Sequence, residues 1–155
     1  MNHTELVNRA VKWLRNSLHC RVVLSELVAY TRSCETPDAI GWVFNQAILV
    51  ECKASRSDFY NDRKKRARHQ PFPALGVWRF YFTPPDLLKP DEIIEGWGLY
   101  EVHGNRVIHK GGSKYRNAGK PCFESDRDSE VAMLVSALSR IHNKSLHGSA
   151  KSSAP

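Results

Sequence analysis

The sequence predicts a mixed α/β protein in which helices flank a central β-sheet and a further helix lies near the C-terminus. Residues 4–16 and 126–142 place apolar side chains at helical spacing. Segments rich in β-branched and aromatic residues recur at 21–29, 38–44, 47–53 and 77–82. A second hairpin is predicted over 98–102 and 106–109. The order is helix, three strands, helix, further strands and a terminal helix, which favours helices packed on a mixed sheet.

Length and composition favour one domain. The chain has 155 residues, 41% of them hydrophobic and 25% charged, enough to bury a core without disulfides. We expect one domain over residues 1–142 and a disordered polar tail over 143–155. No run reaches membrane-spanning length, no signal peptide is evident, and the four cysteines form no Cys-x-x-Cys. The expected location is therefore the cytoplasm, with reduced thiols.

The charge balance favours a polyanion as the partner. The formal net charge is +7 and the pI is about 9.4, which places nucleic acid first among the candidate partners. No Cys/His spacing resembles a zinc site.

Residues 38–53 predict a β-hairpin with charged residues at its open end. The strands are expected over 38–44 and 47–53, with Asn45-Gln46 as the turn. A two-residue turn there pairs Asp38 with Lys53 and Ile40 with Glu51. Because directly opposite residues point to the same face of a sheet, Asp38, Glu51 and Lys53 are expected to converge.

Two carboxylates and an ammonium at one end of a buried hairpin indicate a divalent-metal site. Mg²⁺ often uses one or two carboxylates together with waters and substrate phosphate, and a neighbouring lysine can orient or activate the attacking water. The alternative is a structural ion pair between Lys53 and either Asp38 or Glu51, since charged cross-strand pairs are ordinary.

The strand before this hairpin ends near a third carboxylate. Glu26 is expected on the same face as Val22 and Leu24. It is either a further carboxylate of the metal site or a solvated glutamate at the end of a strand.

A helix is predicted from Ser55 or Ser57 to Arg68. Ser55 with Asp58 fits an N-terminal cap, and Asp62 shares a face with Asp58. Both aspartates either stabilise the helix N-terminus or orient Lys53 and metal-bound water from behind the site. The end of this helix is the densest basic run in the chain, and we expect its side chains to contact DNA phosphates: Arg63, Lys64, Lys65, Arg66 and Arg68.

These motifs together resemble the PD-(D/E)xK nuclease superfamily. Pro37-Asp38, twelve residues and Glu51-Cys52-Lys53 match its core pattern. The helix segment Ser55–Lys64, the strand Arg79–Pro85 and the strand Gly98–Val102 resemble the MmcB-type DNA repair proteins. The resemblance covers roughly residues 21 to 108.

The resemblance implies a restriction-endonuclease-like αβββαβ core and an Mg²⁺-dependent deoxyribonuclease, an endonuclease rather than an exonuclease, in DNA repair, recombination or mobile-element processing. Mn²⁺ would substitute for Mg²⁺. Asp38, Glu51 and Lys53 would be catalytic. Asp38, Glu51 and the backbone carbonyl of Cys52 would bind the metal, with Glu26 as a further candidate ligand and Ser55, Asp58 and Asp62 in support.

Two other classes of function stay open. The same fold can bind DNA in repair or recombination without cutting it. The charged residues can also be an ion-pair cluster in a small phosphate-handling or structural protein. The last helix carries an apolar stripe that is either core or a homodimer face: Val131, Leu134, Val135, Leu138 and Ile141.

Overall fold

The structure, a computed structural model, describes residues 1–27, 36–65, 68–69, 74–116 and 120–149. Helix α1 spans His3–Asn16, and strands β1, β2 and β3 span Val22–Ser25, Ala39–Val43 and Gln46–Cys52. Helix α2 spans Arg56–Arg63, and strand β4 spans Trp78–Thr83. A short 3₁₀ turn at Pro90–Glu92 precedes β5 (Gly98–His103), β6 (Arg106–Gly112) and helix α3 (Arg127–Ser149). The fold is therefore mixed α/β, in the predicted order.

The six strands form one mixed sheet in the order β1-β2-β3-β4-β5-β6. Strands β1, β2 and β3 are antiparallel neighbours, β3-β4 and β4-β5 are parallel, and β5-β6 is an antiparallel hairpin. The parallel connection between β3 and β4 requires a crossover, and α2 lies within it.

Each face of the sheet is covered by helices. Leu6, Ala10 and Leu14 of α1 pack on the face that carries Val50 and Cys52. On the other face, Phe59 of α2 and Met133 of α3 pack in the cluster that contains Ile40, Leu49 and Tyr81. Because β3 is covered on both faces, its side chains from Ala47 to Cys52 are all buried.

Several boundaries differ from the predicted ones. Helix α1 begins one residue earlier than predicted and its N-cap is Asn2, not Thr4, because Asn2 and Glu5 form a reciprocal capping box. Helix α2 ends at Arg63 instead of Arg68. Helix α3 continues to Ser149 instead of ending near His142, since no proline interrupts it. The predicted disordered tail therefore starts seven residues inside the helix, and residues 150–155 lie outside the described chain.

Gly41 in β2 lies directly beneath Leu14 of α1 and Cys20, which follows that helix. A Cβ at this position would lie 2.7 Å from the Sγ of Cys20 and 3.4 Å from a methyl carbon of Leu14. We therefore expect Gly41→Ala to lower the free energy of unfolding by about 1–3 kcal/mol through overpacking, measured by urea denaturation. Adding Cys20→Ala should recover part of this loss, and an unchanged loss in the double variant would contradict the steric explanation.

Within the described residues, no helix is long and apolar enough to cross a membrane. Cys20 and Cys52 are buried thiols, Cys122 is an exposed thiol, and Cys34 lies outside the described residues.

Candidate functional site

The β2-β3 hairpin turns one residue earlier than predicted. Val43 pairs with Gln46, so Phe44 and Asn45 form the turn, with Phe44 at a left-handed φ of 53°. The side chain of Gln46 accepts a hydrogen bond from the indole of Trp78 at 3.3 Å, which keeps Gln46 in the strand. The predicted pairings of Asp38 with Lys53 and Ile40 with Glu51 are therefore wrong by two residues. Asp38, Glu51 and Lys53 still share one face of the sheet, because side chains alternate with a period of two and the pairing error is two residues.

Asp38 ends up beside Glu51 at the open end of the hairpin. The observed pairing of Ala39 with Val50 leads directly to this placement. The Asp38 Oδ2 accepts a 2.7 Å hydrogen bond from the backbone N–H of Cys52, which ties the carboxylate to β3. Burial and the charge of Glu51 raise the pKa of Asp38 to about 6. Two carboxylates therefore repel each other here.

Glu51 and Lys53 form a buried ion pair on the face of the sheet that α2 covers. The Lys53 Nζ lies 3.1 Å from the Glu51 Oε2 and 3.3 Å from the Asp62 Oδ1. Burial opposes the charged ammonium, but Glu51, Asp62 and Asp38 outweigh it and hold the pKa of Lys53 above its usual value. Lys53 is therefore an ammonium throughout the neutral pH range.

Asp62 is the buried partner of several donors. Its Oδ2 lies 2.8 Å from the Arg68 Nε and accepts a 3.1 Å hydrogen bond from the Tyr81 hydroxyl. Its Oδ1 lies 3.0 Å from the Lys65 Nζ. Burial opposes ionisation, but the hydrogen bonds and charge of Arg68 outweigh it and hold the pKa of Asp62 well below its usual value. Asp62 therefore lies beside Lys53, and its role in supporting a metal site stays a prediction.

Arg68 closes this network. Its guanidinium binds both oxygens of Asp62, lies 3.1 Å from the Glu51 Oε1, and stacks 4.9 Å from the Trp97 ring centroid. The predicted contact of Arg68 with DNA is wrong, because its side chain is buried. The physical reason is that the buried carboxylates of Glu51 and Asp62 would be strongly destabilising without a cation beside them. Arg68 supplies that cation and is therefore not available at the surface. The chain leaves α2 after Arg63 and returns this side chain to the core.

The other basic residues predicted to contact DNA have exposed side chains, as far as the structure describes them. Arg63, Lys64 and Lys65 are exposed, and Arg63 donates to the backbone carbonyl of Glu92 at 3.1 Å. Arg66 lies outside the described residues.

Ser55 and Asp58 act at the start of α2. The Ser55 hydroxyl accepts a hydrogen bond from the Asp58 N–H at 3.2 Å, as the capping pattern predicted. Their structural role is to fix the helix that carries Asp62.

Glu26 lies just past β1 and is not on the strand as predicted. The backbone of Glu26 has a left-handed φ of 49°, and its N–H donates to the backbone carbonyls of Pro37 and Asp38. Its side chain is 62% exposed. The His3 Nε2 lies 3.4 Å from the Asp38 Oδ1 and 4.0 Å from the Glu26 Oε1. The contact of α1 with Asp38 through His3 was missed from the sequence.

Oxygen ligands for a hard cation are present at the open end of the hairpin. The Asp38 Oδ1 and the Glu51 carboxylate are the two donors, a number that Mg²⁺ commonly completes with water and phosphate. Within the described residues, no group of three His, Cys, Asp or Glu side chains could hold a metal by itself. Glu51 also shares its oxygens with Lys53 and Arg68. A divalent cation at this point would therefore have to be held by two carboxylates and water, not by a closed cage of side chains.

A solved structure shares this fold. It is a protein of unknown function from Silicibacter pomeroyi, with a TM-score of 0.58 and 16% sequence identity over 91% of this chain and 90% of that one. At this identity the likeness shows the fold alone. No family model and no curated protein matches the chain.

Proposed function

We propose that this protein is an Mg²⁺-dependent nuclease acting on DNA, built on a restriction-endonuclease-like core. The observation that supports it is the juxtaposition of Asp38 with Glu51, with the Lys53 ammonium 3.1 Å from Glu51. Asp38 and Glu51 would hold the metal, with the Cys52 carbonyl as a further ligand. The metal would act as a Lewis acid on the phosphate and bind the nucleophilic water.

The reaction is hydrolysis of a phosphodiester. Water adds to phosphorus and gives up a proton to solvent, and the bond from phosphorus to the 3′ oxygen breaks. The 3′ oxygen takes up a proton from solvent, so the products are a 3′ hydroxyl and a 5′ phosphate. Because Lys53 stays protonated, its role is to orient the water and to stabilise negative charge on the phosphoryl oxygens, not to accept the proton. Asp62 holds the ammonium in place from the side of α2.

DNA is the expected substrate because the exposed cations of Arg63, Lys64 and Lys65 lie at the C-terminal end of α2, the helix whose buried face supports the site. Surface cations of this kind contact phosphates without reading sequence. The net charge of +7 has the same sign.

The test is a cleavage assay on single-stranded, duplex and branched DNA, with Mg²⁺ or Mn²⁺ compared with EDTA. Wild-type protein should cut at least one substrate only with metal. Asp38→Asn and Lys53→Met should each lower the rate by at least about 10²-fold, with circular dichroism confirming that they fold. Asp91→Asn, at an exposed carboxylate, should cut at the wild-type rate. Metal-independent cutting, or full activity in both site variants, would refute the assignment.

A second candidate function is DNA binding without cleavage. The observation that favours it is that both Glu51 oxygens are already paired with Lys53 and Arg68, so the buried charges are compensated without a metal. Under this alternative, binding would be salt-sensitive, no substrate would be cut, and Asp38→Asn would bind DNA as tightly as wild type.

A further inference from the structure

Helix α3 turns most of its large apolar side chains away from the sheet. Met133 is buried and Leu134 is half-buried in the core. Four others among the described side chains are 55–66% exposed, and we call them the α3 stripe: Val131, Val135, Leu138 and Ile141. Single exposed aliphatic residues are ordinary, whereas a contiguous row on one helix face marks an interaction surface.

The second half of α3 is exposed to solvent as far as its side chains are described. Every residue from Leu138 to Ser145 is exposed, on all sides of the helix. Helical segments gain most of their stability by packing an apolar face against a partner. A helix of 23 residues is about 35 Å long at 1.5 Å per residue, which offers enough length for a helix-helix contact.

We propose that the α3 stripe packs against the same stripe of a second copy of this chain, with the two helices antiparallel. The spacing of Val131, Val135 and Leu138 follows the alternating four- and three-residue steps of a helix-helix seam. A two-fold axis passing between residues 136 and 137 places Val135 against Leu138 of the second copy. The same axis places Ile141 level with Ala132 of the second copy, and each contact occurs twice about the axis, so the surface is self-complementary.

The distribution of charge along α3 favours a second copy of the chain as the partner and an antiparallel arrangement of the two helices. The first turn of α3 contains Asp128 and Glu130 beside Arg127, whereas no acidic residue follows Glu130 in the chain and Arg140 and Lys144 make the second half basic. Parallel helices would place two basic halves side by side. Antiparallel helices place each basic half beside the acidic first turn of the other copy, and their dipoles oppose. Both halves of this complementarity lie on one helix, which points to a second copy and not to a different protein.

The first test is sedimentation velocity of the full chain from about 5 to 500 μM, in chelator and at fixed salt. The mass should rise from 17.7 kDa toward twice that value with concentration. Leu138→Glu should stay monomeric, and because the position is exposed its circular dichroism should match wild type. Asn143→Glu adds the same charge at an exposed position outside the stripe and should associate as wild type does. A wild type that is monomeric throughout, leaving the stripe to another partner, or a Leu138→Glu variant that still associates, would overturn the proposal.

Orientation is tested by disulfide trapping in a Cys122→Ser background. A mixture of Val135→Cys and Leu138→Cys chains should cross-link mainly between the two variants. Preferential cross-linking of Val135→Cys with itself would indicate parallel helices and would overturn the antiparallel arrangement. This inference does not depend on the proposed nuclease activity.

Discussion

Arg68→Ala is expected to lower the free energy of unfolding by about 3–5 kcal/mol, the loss typical of breaking a buried ion pair from one side. The variant leaves Glu51 and Asp62 as buried carboxylates without the guanidinium that contacts both. It also removes the stacking on Trp97. Because whole domains are stable by only about 5–15 kcal/mol, this loss should be evident in urea denaturation at pH 7.

The matched control is Lys65→Ala. Lys65 contacts the same Asp62 oxygen that lies near Lys53, but its side chain is 54% exposed, so its removal should cost less than about 1 kcal/mol. Arg68→Lys should fall between the two, because an ammonium cannot bind a carboxylate through two parallel hydrogen bonds. Equal losses for Arg68→Ala and Lys65→Ala would show that the guanidinium is not buried with its two carboxylates.

The sequence was a good guide to the elements and to which face carries the charges. Continuous apolar character identified β3 as a buried strand, and the period of two brought Asp38, Glu51 and Lys53 to one face even though the turn was placed one residue late. Phe44 caused that error. An exposed aromatic residue in a turn resembles the end of a strand, and nothing local shows that Gln46 is held by Trp78.

Arg68 could not be assigned from the sequence. In a run of basic residues, each cation has the same local pattern, and only the three-dimensional fold decides which one turns inward. One signal for Asp62 was present: it follows Phe59 by three residues, so it shares the buried face of α2. A buried ionised aspartate is normally paired with a cation. The basic run that directly follows Asp62 in the sequence therefore indicated that one of its residues would turn inward, without showing which one.

The direction of the α3 stripe was equally beyond the sequence. An apolar helical stripe looks the same whether it covers a sheet or faces solvent. Met133, which lies off the predicted stripe, is the residue that enters the core. Packing in the fold buries Met133 fully and Leu134 in part, and it leaves the other four residues of the predicted stripe exposed.

Asp38→Asn is expected to stabilise the protein at neutral pH in the presence of EDTA. The pKa of Asp38 is about 6 in the folded protein and near 3.8 in the unfolded chain. Between these values the unfolded chain releases its proton first, so wild-type stability falls as pH rises from about 4 to 6. Two pKa units correspond to about 2–3 kcal/mol. Asparagine keeps an oxygen for the Cys52 N–H and carries no charge, so it avoids this loss.

The measurement is urea denaturation of both proteins at pH 3.5 and pH 7.5. The two should be nearly equal at the lower pH, where the wild-type carboxyl is protonated, and Asp38→Asn should be the more stable at the higher pH. Asp91→Asn, at an exposed carboxylate, should show no such pH-dependent difference. A neutral-pH stability of Asp38→Asn below that of wild type would contradict the proposed repulsion between Asp38 and Glu51.

The same variant connects stability to the proposed function. A carboxylate that destabilises the metal-free fold at neutral pH is one whose charge a bound cation would compensate. Mg²⁺ at ten times its dissociation constant should therefore stabilise wild type by about 1.4 kcal/mol, whereas Asp38→Asn should gain little. If both proteins respond equally to Mg²⁺, the ion binds elsewhere, and the buried charges of Glu51, Lys53, Asp62 and Arg68 are a structural network that needs no metal.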